Sequence, residues 1–408
     1  MHILYVSNLY PPAIGGAQIH LHCLAKAMKK DGNEVSAITL TSRWRNDWLR
    51  LSTVCMDGRK HSEFEGVEVS QIGFPASVRA RVLPWALAYY AMTGRAVRAI
   101  SGCMLPYFEA YSPAPSLVHA TRNGREFLAR AGLDYAHRRN IPFVFTPNHH
   151  PRWRGPLYRE YDKIYREADA LFALTECERK TLVEDKRVCE DRVHVTGIGP
   201  VLSDNYDPDE FRNRFDIRGR FVLYLGQQYR YKGVGAVLEA APLVWRQHPD
   251  VSFVFVGPTT SYSRALFGRV RDRRIVNLEQ VDLETKTSAL AACEFLCVPS
   301  MQESFGGVYV EAWSLRRAVI GGRIGPIANV VADGTDGILC GQGFAEVAEA
   351  IAFLLSSRRL CDAMGNAGWQ KVRDKYSWER IAARTFQVYS SLLGGYRASQ
   401  LSAQGAMR

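Results

Sequence analysis

The chain has 408 residues, 47% hydrophobic and 23% charged, which excludes a disordered or low-complexity protein and predicts two domains of roughly 200 residues each. Lysine and arginine number 52 against 41 acids, and the resulting charge of +11 could attract nucleic acid, an anionic membrane or a phosphorylated substrate without choosing among them. Nine cysteines with no Cys-x-x-Cys pair exclude a disulfide framework and a structural zinc site, and no run of about 18 apolar residues is present to span a membrane.

Strand and helix patterns alternate along the whole chain, which predicts an α/β fold with parallel sheets and crossover helices. The amino terminus, His2 to Ser7, reads as a first strand and not a signal peptide, so the protein is expected to be made and kept in the cytoplasm. A helix follows near Gly16 to Lys30, with Leu21, Leu24, Ala25 and Met28 at helical spacing and Gly32 as its stop. Strands are then predicted at Val35 to Leu40, Val67 to Ile72, Leu117 to Ala120, Phe143 to Thr146, Ala170 to Leu174 and Val193 to Thr196. Between them, Val78 to Tyr90 mixes Arg79 and Arg81 with Trp85, Leu87 and Tyr89, a pattern that suits either a membrane interface or a packed core helix. The arginine excess runs from Arg43 and Arg45 through Arg95, Arg98, Arg122 and Arg125 to Arg152 and Arg154.

A break at Gly197-Ile198-Gly199-Pro200 ends this first doubly wound layer. The pattern restarts with strands at Phe221 to Leu225, Val251 to Val256, Ile275 to Leu278, Phe295 to Val298, Ala318 to Ile320 and Gly337 to Cys340. The predicted division is therefore 1–198 for a first Rossmann-like domain, 199–376 for a second, 377–393 for a helix crossing back to the first, and 394–408 for a flexible tail. Two such domains in tandem predict a cleft between their carboxyl edges, where ligands bind preferentially.

Three loops carry the chemistry. After the strand at Phe295, the chain reads Pro299 to Ala312 with Glu303 and Glu311 eight positions apart. On one helix that spacing would set them about 80° out of phase, so Glu303 is placed in the loop and Glu311 in the first turns of the helix. Both then overhang the carboxyl end of a parallel strand, and backbone N–H groups from Ser304 to Gly307 suit a phosphate while two carboxylates suit hydroxyl groups. A ligand with both is a nucleotide sugar. Taken separately, Glu311 could merely complement the helix dipole and Glu303 could be a cap or surface acid.

The second loop, Gly226-Gln227-Gln228-Tyr229-Arg230-Tyr231-Lys232-Gly233, joins a strand to the start of a helix. A lysine there opposes the helix dipole by roughly 0.3–1 kcal/mol, and a bound diphosphate would reverse that sign. A plain surface lysine is the alternative. The third loop, Asn8 to Ala17, has the pair Gly15-Gly16, which frees backbone N–H groups for a phosphate or simply makes a turn. It is not Gly-x-Gly-x-x-Gly and the second strand ends without an acid, which argues against a dehydrogenase. His20 and His22 are spaced wrongly for a helical metal site, and Asp207-Pro208-Asp209 reads as helix-start chemistry, so no essential metal and no cofactor are predicted.

The segments Pro12 to His20, Gly226 to Gly233, Glu303 to Glu311 and Asp333 to Leu339 resemble, in order and spacing, the retaining glycosyltransferases of GT-B fold, in particular family 4. The resemblance covers almost the entire chain. It implies that Glu311 holds the ribose of the donor nucleotide, that Glu303 lies beside the transferred sugar, and that Phe305, Gly306 and Gly307 offer backbone N–H groups. It further implies that Lys232 neutralises the leaving diphosphate, helped by Gly15 and Gly16 across the cleft, and that His119 at a strand tip stands near the sugar. His119 is equally readable as a hydrogen-bonded strand residue, and His149 and His150 could face the acceptor. Two positions depart from the family pattern: Gln227 stands where an arginine is usual, so that either Arg230 substitutes or turnover suffers, and Asn329 stands where a glutamate is usual.

The expected protein is a retaining hexosyltransferase taking a nucleotide-diphosphate sugar to a glycan or lipid-linked acceptor in envelope or exopolysaccharide synthesis, with peripheral contact to an anionic inner membrane face. The rivals are a GT-B epimerase or phosphorylase on sugar phosphates, and a non-catalytic nucleotide-sugar or lipid-binding protein. Nucleic acid is not an expected partner, because no helix-turn-helix or stacking-aromatic signature accompanies the charge.

Overall fold

A computed structural model describes the protein except for residues 14, 42–58, 151, 152, 154, 156, 157, 407 and 408, and it describes the side chains except those and 41, 397 and 399–406. Arg43, Arg45, Arg152 and Arg154 therefore lie outside the described residues. The chain divides into two compact units, Met1–Thr196 with Trp378–Arg408, and Gly197–Ser377.

The first unit is built on eight strands: β1 (His2–Leu9), β2 (Glu34–Thr41), β3 (Lys60–Phe64), β4 (Val67–Gln71), β5 (Leu117–Thr121), β6 (Phe143–Thr146), β7 (Ala170–Ala173) and β8 (Val193–Val195). Their order is β3-β4-β2-β1-β5-β6-β7-β8. All pairs are parallel except β3 with β4. Strand β3 was not predicted from sequence. Its residues Lys60-His61-Ser62-Glu63 are exposed and polar, as an edge strand should be, so no apolar run marked it.

Alternation along the central strands sends side chains to two separate cores. Leu4, Val6, Val118, Ala120, Phe143 and Phe145 pack on one face with the helices Ala76–Leu87, Thr93–Glu109 and Phe127–Arg139. Ile3, Tyr5, Leu117 and Val144 pack on the other with Leu21, Leu24 and Met28 of the helix Gly16–Lys30 and with Ile381, Ala382 and Tyr389 of the last helix. Each leucine or isoleucine so buried contributes about 1.5–3 kcal/mol.

The last helix runs from Trp378 to Ala406, so residues 394–408, expected as a flexible tail, are helical up to Ala406. The Gly394-Gly395 pair weakens the helix, but Tyr396 beyond it is anchored, its Oη donating to Asp169 Oδ1 at 2.9 Å.

The second unit holds six parallel strands: β9 (Phe221–Leu225), β10 (Ser252–Val256), β11 (Ile275–Asn277), β12 (Phe295–Val298), β13 (Ala318–Gly322) and β14 (Gly337–Cys340). Their order is β11-β10-β9-β12-β13-β14. Counted along the chain this is 3-2-1-4-5-6, the doubly wound order, and it reverses between β9 and β12. The loops leaving those two strands are the ones that carry Lys232 and Glu303.

Candidate active site

The loop after β9 makes a 3₁₀ turn over Arg230–Lys232 and enters the helix Val234–Val244 through Gly233, whose φ is 82°. A Cβ on Gly233 would stand 2.7 Å from Pro299 Cγ and 2.8 Å from Pro299 O, so only glycine lets this turn pass the loop after β12. Tyr231 O collects the amide of Met301 at 2.8 Å and Gln342 Nε2 at 3.0 Å, and Gln342 Nε2 also donates to Pro299 O at 2.8 Å. Three loops are thus stitched at one carbonyl. The consequence is that Lys232 and Glu303, 71 positions apart, form a direct ion pair with side chains only 20% and 13% exposed.

The helix Gly307–Ser314 starts from Gly306 in the left-handed region (φ 90°), with no side chain capping its first amides. A Cβ at Gly306 would lie 2.4 Å from the Tyr309 ring, whose Oη donates to Val298 O at 2.7 Å. Phe305 is buried edge-on against Tyr376, ring centres 5.3 Å apart. One turn along, Glu311 is buried and its Oε1 accepts from Lys286 Nζ at 2.9 Å. The two carboxylates are therefore each held by a different lysine. Lys286 was not singled out by sequence, because Leu283-Glu284-Thr285-Lys286 reads as an ordinary polar first turn behind the Asp282 cap. No sequence signal would have found it.

The remaining predicted residues of this unit are placed as follows. Gln227 shapes its turn through its carbonyl, which accepts from Tyr224 Oη at 3.2 Å and from the Tyr229 amide at 2.8 Å. Arg230 is exposed, and its guanidinium has no partner among the described residues. The Asp333 to Leu339 segment is a scaffold: Asp333 Oδ1 accepts from the Leu339 amide at 2.8 Å and Asp336 Oδ1 from the Ala332 amide at 2.9 Å, while Lys371 pairs with Asp336.

In the first unit, Gly15 is extended at φ 167° and Gly16 opens the first helix. The side chain of Gln18 folds over Gly15, whereas nothing lies within 4 Å of a Cβ on Gly16. His119 needs correction. It points from β5 into the core shared with the last helix, is fully buried, and has both ring nitrogens occupied, Nδ1 by Tyr389 Oη and Nε2 by Thr146 Oγ1 at 2.8 Å. Burial, with His20 adding, holds its pKa down to about 3. A neutral, fully partnered ring in the core cannot touch a sugar, so the strand-residue reading stands.

His20 is likewise buried, with its pKa held down to about 4, and His22 is bound by Tyr10 Oη and faces Glu65. The His149 amide donates to Glu178 Oε1 at 2.5 Å, and burial pushes the Glu178 carboxyl up to about 7 against the pull of the His149 and Leu174 amides and Arg122. Asp207 caps the helix Pro208–Arg214 through the amides of Asp209 and Glu210. Among the described residues no group of His, Cys, Asp and Glu could hold a metal ion, and no helix is long and apolar enough to cross a membrane.

Two family models match the chain: "Glycosyl transferase 4-like domain" over residues 15–199 and "Glycosyl transferases group 1" over residues 219–357. The chain belongs to the GT-B glycosyltransferases of family 4 type. It is 24% identical to the glycogen synthase of Mycobacterium tuberculosis, an alignment covering 98% of this chain and 97% of that protein. Over 45% of this glycosyltransferase and 48% of its relative, it is 31% identical to the phosphatidyl-myo-inositol mannosyltransferase of Mycolicibacterium smegmatis. Among solved structures, sucrose-phosphate synthase of Thermosynechococcus elongatus superposes with a TM-score of 0.72 at 18% identity, covering 97% of this chain and 99% of the other. HepE of Anabaena, solved with UDP and glucose, superposes at 0.71 and 15% identity, covering 95% and 99%. These likenesses establish the GT-B fold of this glycosyltransferase.

Proposed function

We propose that this glycosyltransferase moves a hexose from a nucleotide-diphosphate sugar to a hydroxyl of a glycan or lipid-linked acceptor, retaining anomeric configuration and using no metal, in cell-envelope or exopolysaccharide synthesis. The observation that carries the reading is the Lys232–Glu303 pair where the strand order reverses. The bond from the anomeric carbon to the diphosphate breaks with its electron pair leaving on the phosphate oxygen. The acceptor hydroxyl attacks from the same face, and its proton passes to that oxygen. A diphosphate would compete with Glu303 for Lys232, so donor binding would free the carboxylate as positive charge develops on the sugar. Glu311 is assigned to the ribose hydroxyls, the amides of Phe305, Gly306 and Gly307 to sugar and phosphate oxygens, and Gly15 and Gly16 to an added phosphate contact. Arg230 is assigned the diphosphate charge that Gln227 does not carry. The structural neighbour HepE, solved with UDP and with UDP-glucose, supports a nucleotide-sugar donor.

Contact with an anionic membrane on the cytoplasmic side is supported by the turn between the helices Ala76–Leu87 and Thr93–Glu109. Val97, Ile100, Met104 and Phe108 pack inward, whereas Leu87, Tyr90 and Met92 are 76%, 56% and 37% exposed beside the exposed Arg95 and Arg98. Apolar side chains ringed by cations suit a charged bilayer surface. Replacing Leu87 and Tyr90 with serine should abolish sedimentation with phosphatidylglycerol vesicles; undiminished sedimentation would remove this contact.

The reaction itself is tested by Glu303→Gln, which keeps a hydrogen-bonding group of the same shape. Nucleotide release from a panel of nucleotide sugars should vanish while the protein still folds, at a melting temperature lowered by the unpaired Lys232, and full activity would end the assignment of Glu303. Magnetic resonance of the product's anomeric linkage tests retention.

A further inference from the structure

Lys286 joins two distant segments of the second unit. Its Nζ donates to Glu311 Oε1 at 2.9 Å and to Val201 O at 2.6 Å, and its side chain is 19% exposed against 10% for Glu311. The residues that follow it continue the same stitching: Thr287 Oγ1 accepts from the Ser203 amide at 3.0 Å and Ser288 Oγ from the Asp207 amide at 3.0 Å. One turn of the helix Leu283–Ala292 therefore binds the segment 201–207 at three points, and the first of those points also grips Glu311.

Two consequences follow for the carboxylate. With Oε1 held, the Glu311 side chain loses its freedom to rotate, and its Oε2 has no partner among the described residues. An ionised carboxylate only accepts hydrogen bonds, so the oxygen left over is suited to a hydroxyl donor held at one orientation.

We propose that Lys286 is a positioning residue for donor binding: it fixes Glu311, through a buried ion pair braced on Val201, in the orientation that reads a ribose hydroxyl. This rests on the reading of Glu311 as the ribose ligand. Lys286 touches no reacting atom, so its loss should appear in recognition of the nucleotide sugar's ribose far more than in the chemical step. A lysine that merely stabilised the fold would lower the melting temperature without altering discrimination between ribose and deoxyribose.

The test uses calorimetric binding of UDP, GDP and ADP to the full chain, with the tightest of the three then compared with its 2′-deoxy and 3′-deoxy forms. The wild type should prefer the ribonucleotide over one deoxy form by about tenfold, the value of one hydrogen bond to a charged group. Lys286→Met should erase most of that preference and raise donor KM by about tenfold, with kcat falling less, and Lys286→Arg should recover part of it. Lys286→Met with the full preference intact overturns the proposal. If it fails to fold, Lys286→Gln serves the same comparison. Should Glu311→Gln itself keep the full preference, or none of the three nucleotides bind, then the ribose reading fails first and the proposal with it.

Discussion

The two sheets reverse their strand order in the same way, between β1 and β5 in one unit and between β9 and β12 in the other, yet the loops at those two places are chemically unlike. At the first, Asn123 closes the gap with neutral groups: its Oδ1 accepts the Asn8 amide at 2.9 Å and its Nδ2 donates to Ser7 Oγ at 2.6 Å and Leu9 O at 3.1 Å. At the second stand two lysine–carboxylate pairs, Lys232 with Glu303 and Lys286 with Glu311. Amides both donate and accept, so they can satisfy one another and form a finished scaffold. Lysines only donate and carboxylates only accept. A pair of that kind can exchange its partner for a phosphate or a diol, which suits the second reversal to the ligand proposed for it, whereas the amides around Asn123 at the first already satisfy one another.

The strongest way to break this contrast is to uncouple the Lys232–Glu303 pair. Lys232→Met should cost about 10²–10³-fold in kcat, the scale of one lost electrostatic contact to a developing charge. It also strands Glu303 nearly buried without a counter-charge, which destabilises the fold, whereas adding Glu303→Gln removes the stranded charge. The double variant should therefore regain melting temperature while activity stays lost. Recovery of both would make the pair a structural bridge and nothing more.

Next in size is the expected failure of the matching experiment in the first unit. His119→Phe leaves Thr146 Oγ1 and Tyr389 Oη without their ring partners in the core, at about 2–4 kcal/mol by urea unfolding. The rate per folded molecule should stay within about threefold of wild type, since the ring touches no substrate. A collapse of kcat in a protein of undiminished stability would return His119 to the catalytic set.

His119 also marks where sequence reasoning reaches its limit. The alternating strand and helix patterns and the loops at Lys232, Glu303 and Glu311 were legible because each is written in local periodicity or in a motif of a few residues. Whether His119 faces a ligand or the core depends on Tyr389, 270 positions away on the last helix, and no local pattern encodes that neighbour. Lys286 was invisible for the same reason: a lysine in a polar first turn looks like solvent-facing decoration until Val201 and Glu311 are seen around it. Strand β3 escaped because an exposed edge has no apolar face to read.

The buried histidines sharpen the contrast further through pH. His119 and His20 have pKa values of about 3 and about 4 in the folded chain against an ordinary 6.5, so the unfolded chain takes up protons first on acidification. Their stabilisation is complete above pH 6.5 and is lost as pH falls toward 4, at ~1.4 kcal/mol per pH unit for each ring. Glu178 acts oppositely: held at about 7 against an ordinary 4.5, it makes folding less favourable as pH rises between those values. Burial holds His22 and His194 down in the same way and Glu126 up like Glu178, so four rings against two carboxyls leave a net loss on acidification. Urea midpoints from pH 6.5 to 5 should thus fall for the wild type, and His119→Phe should remove ~1.4 kcal/mol per unit of that slope. An unchanged slope would mean that His119 protonates without leaving the core.

The smallest expected effect concerns the glycine pair of the first unit. A Cβ on Gly16 meets nothing within 4 Å, and the residue lies at the first position of a helix, so Gly16→Ala should fold normally and gain about 0.5–1 kcal/mol from the lower entropy of its unfolded chain. If the Gly16 amide serves a donor phosphate, the added methyl group crowds that approach and donor KM rises severalfold while the protein melts higher. Stability and affinity then move in opposite directions from one methyl group, a combination that a plain turn glycine cannot produce. Unchanged KM with the stability gain would assign Gly16 to the turn alone and leave donor phosphate recognition to Lys232, Arg230 and the amides at Phe305 to Gly307.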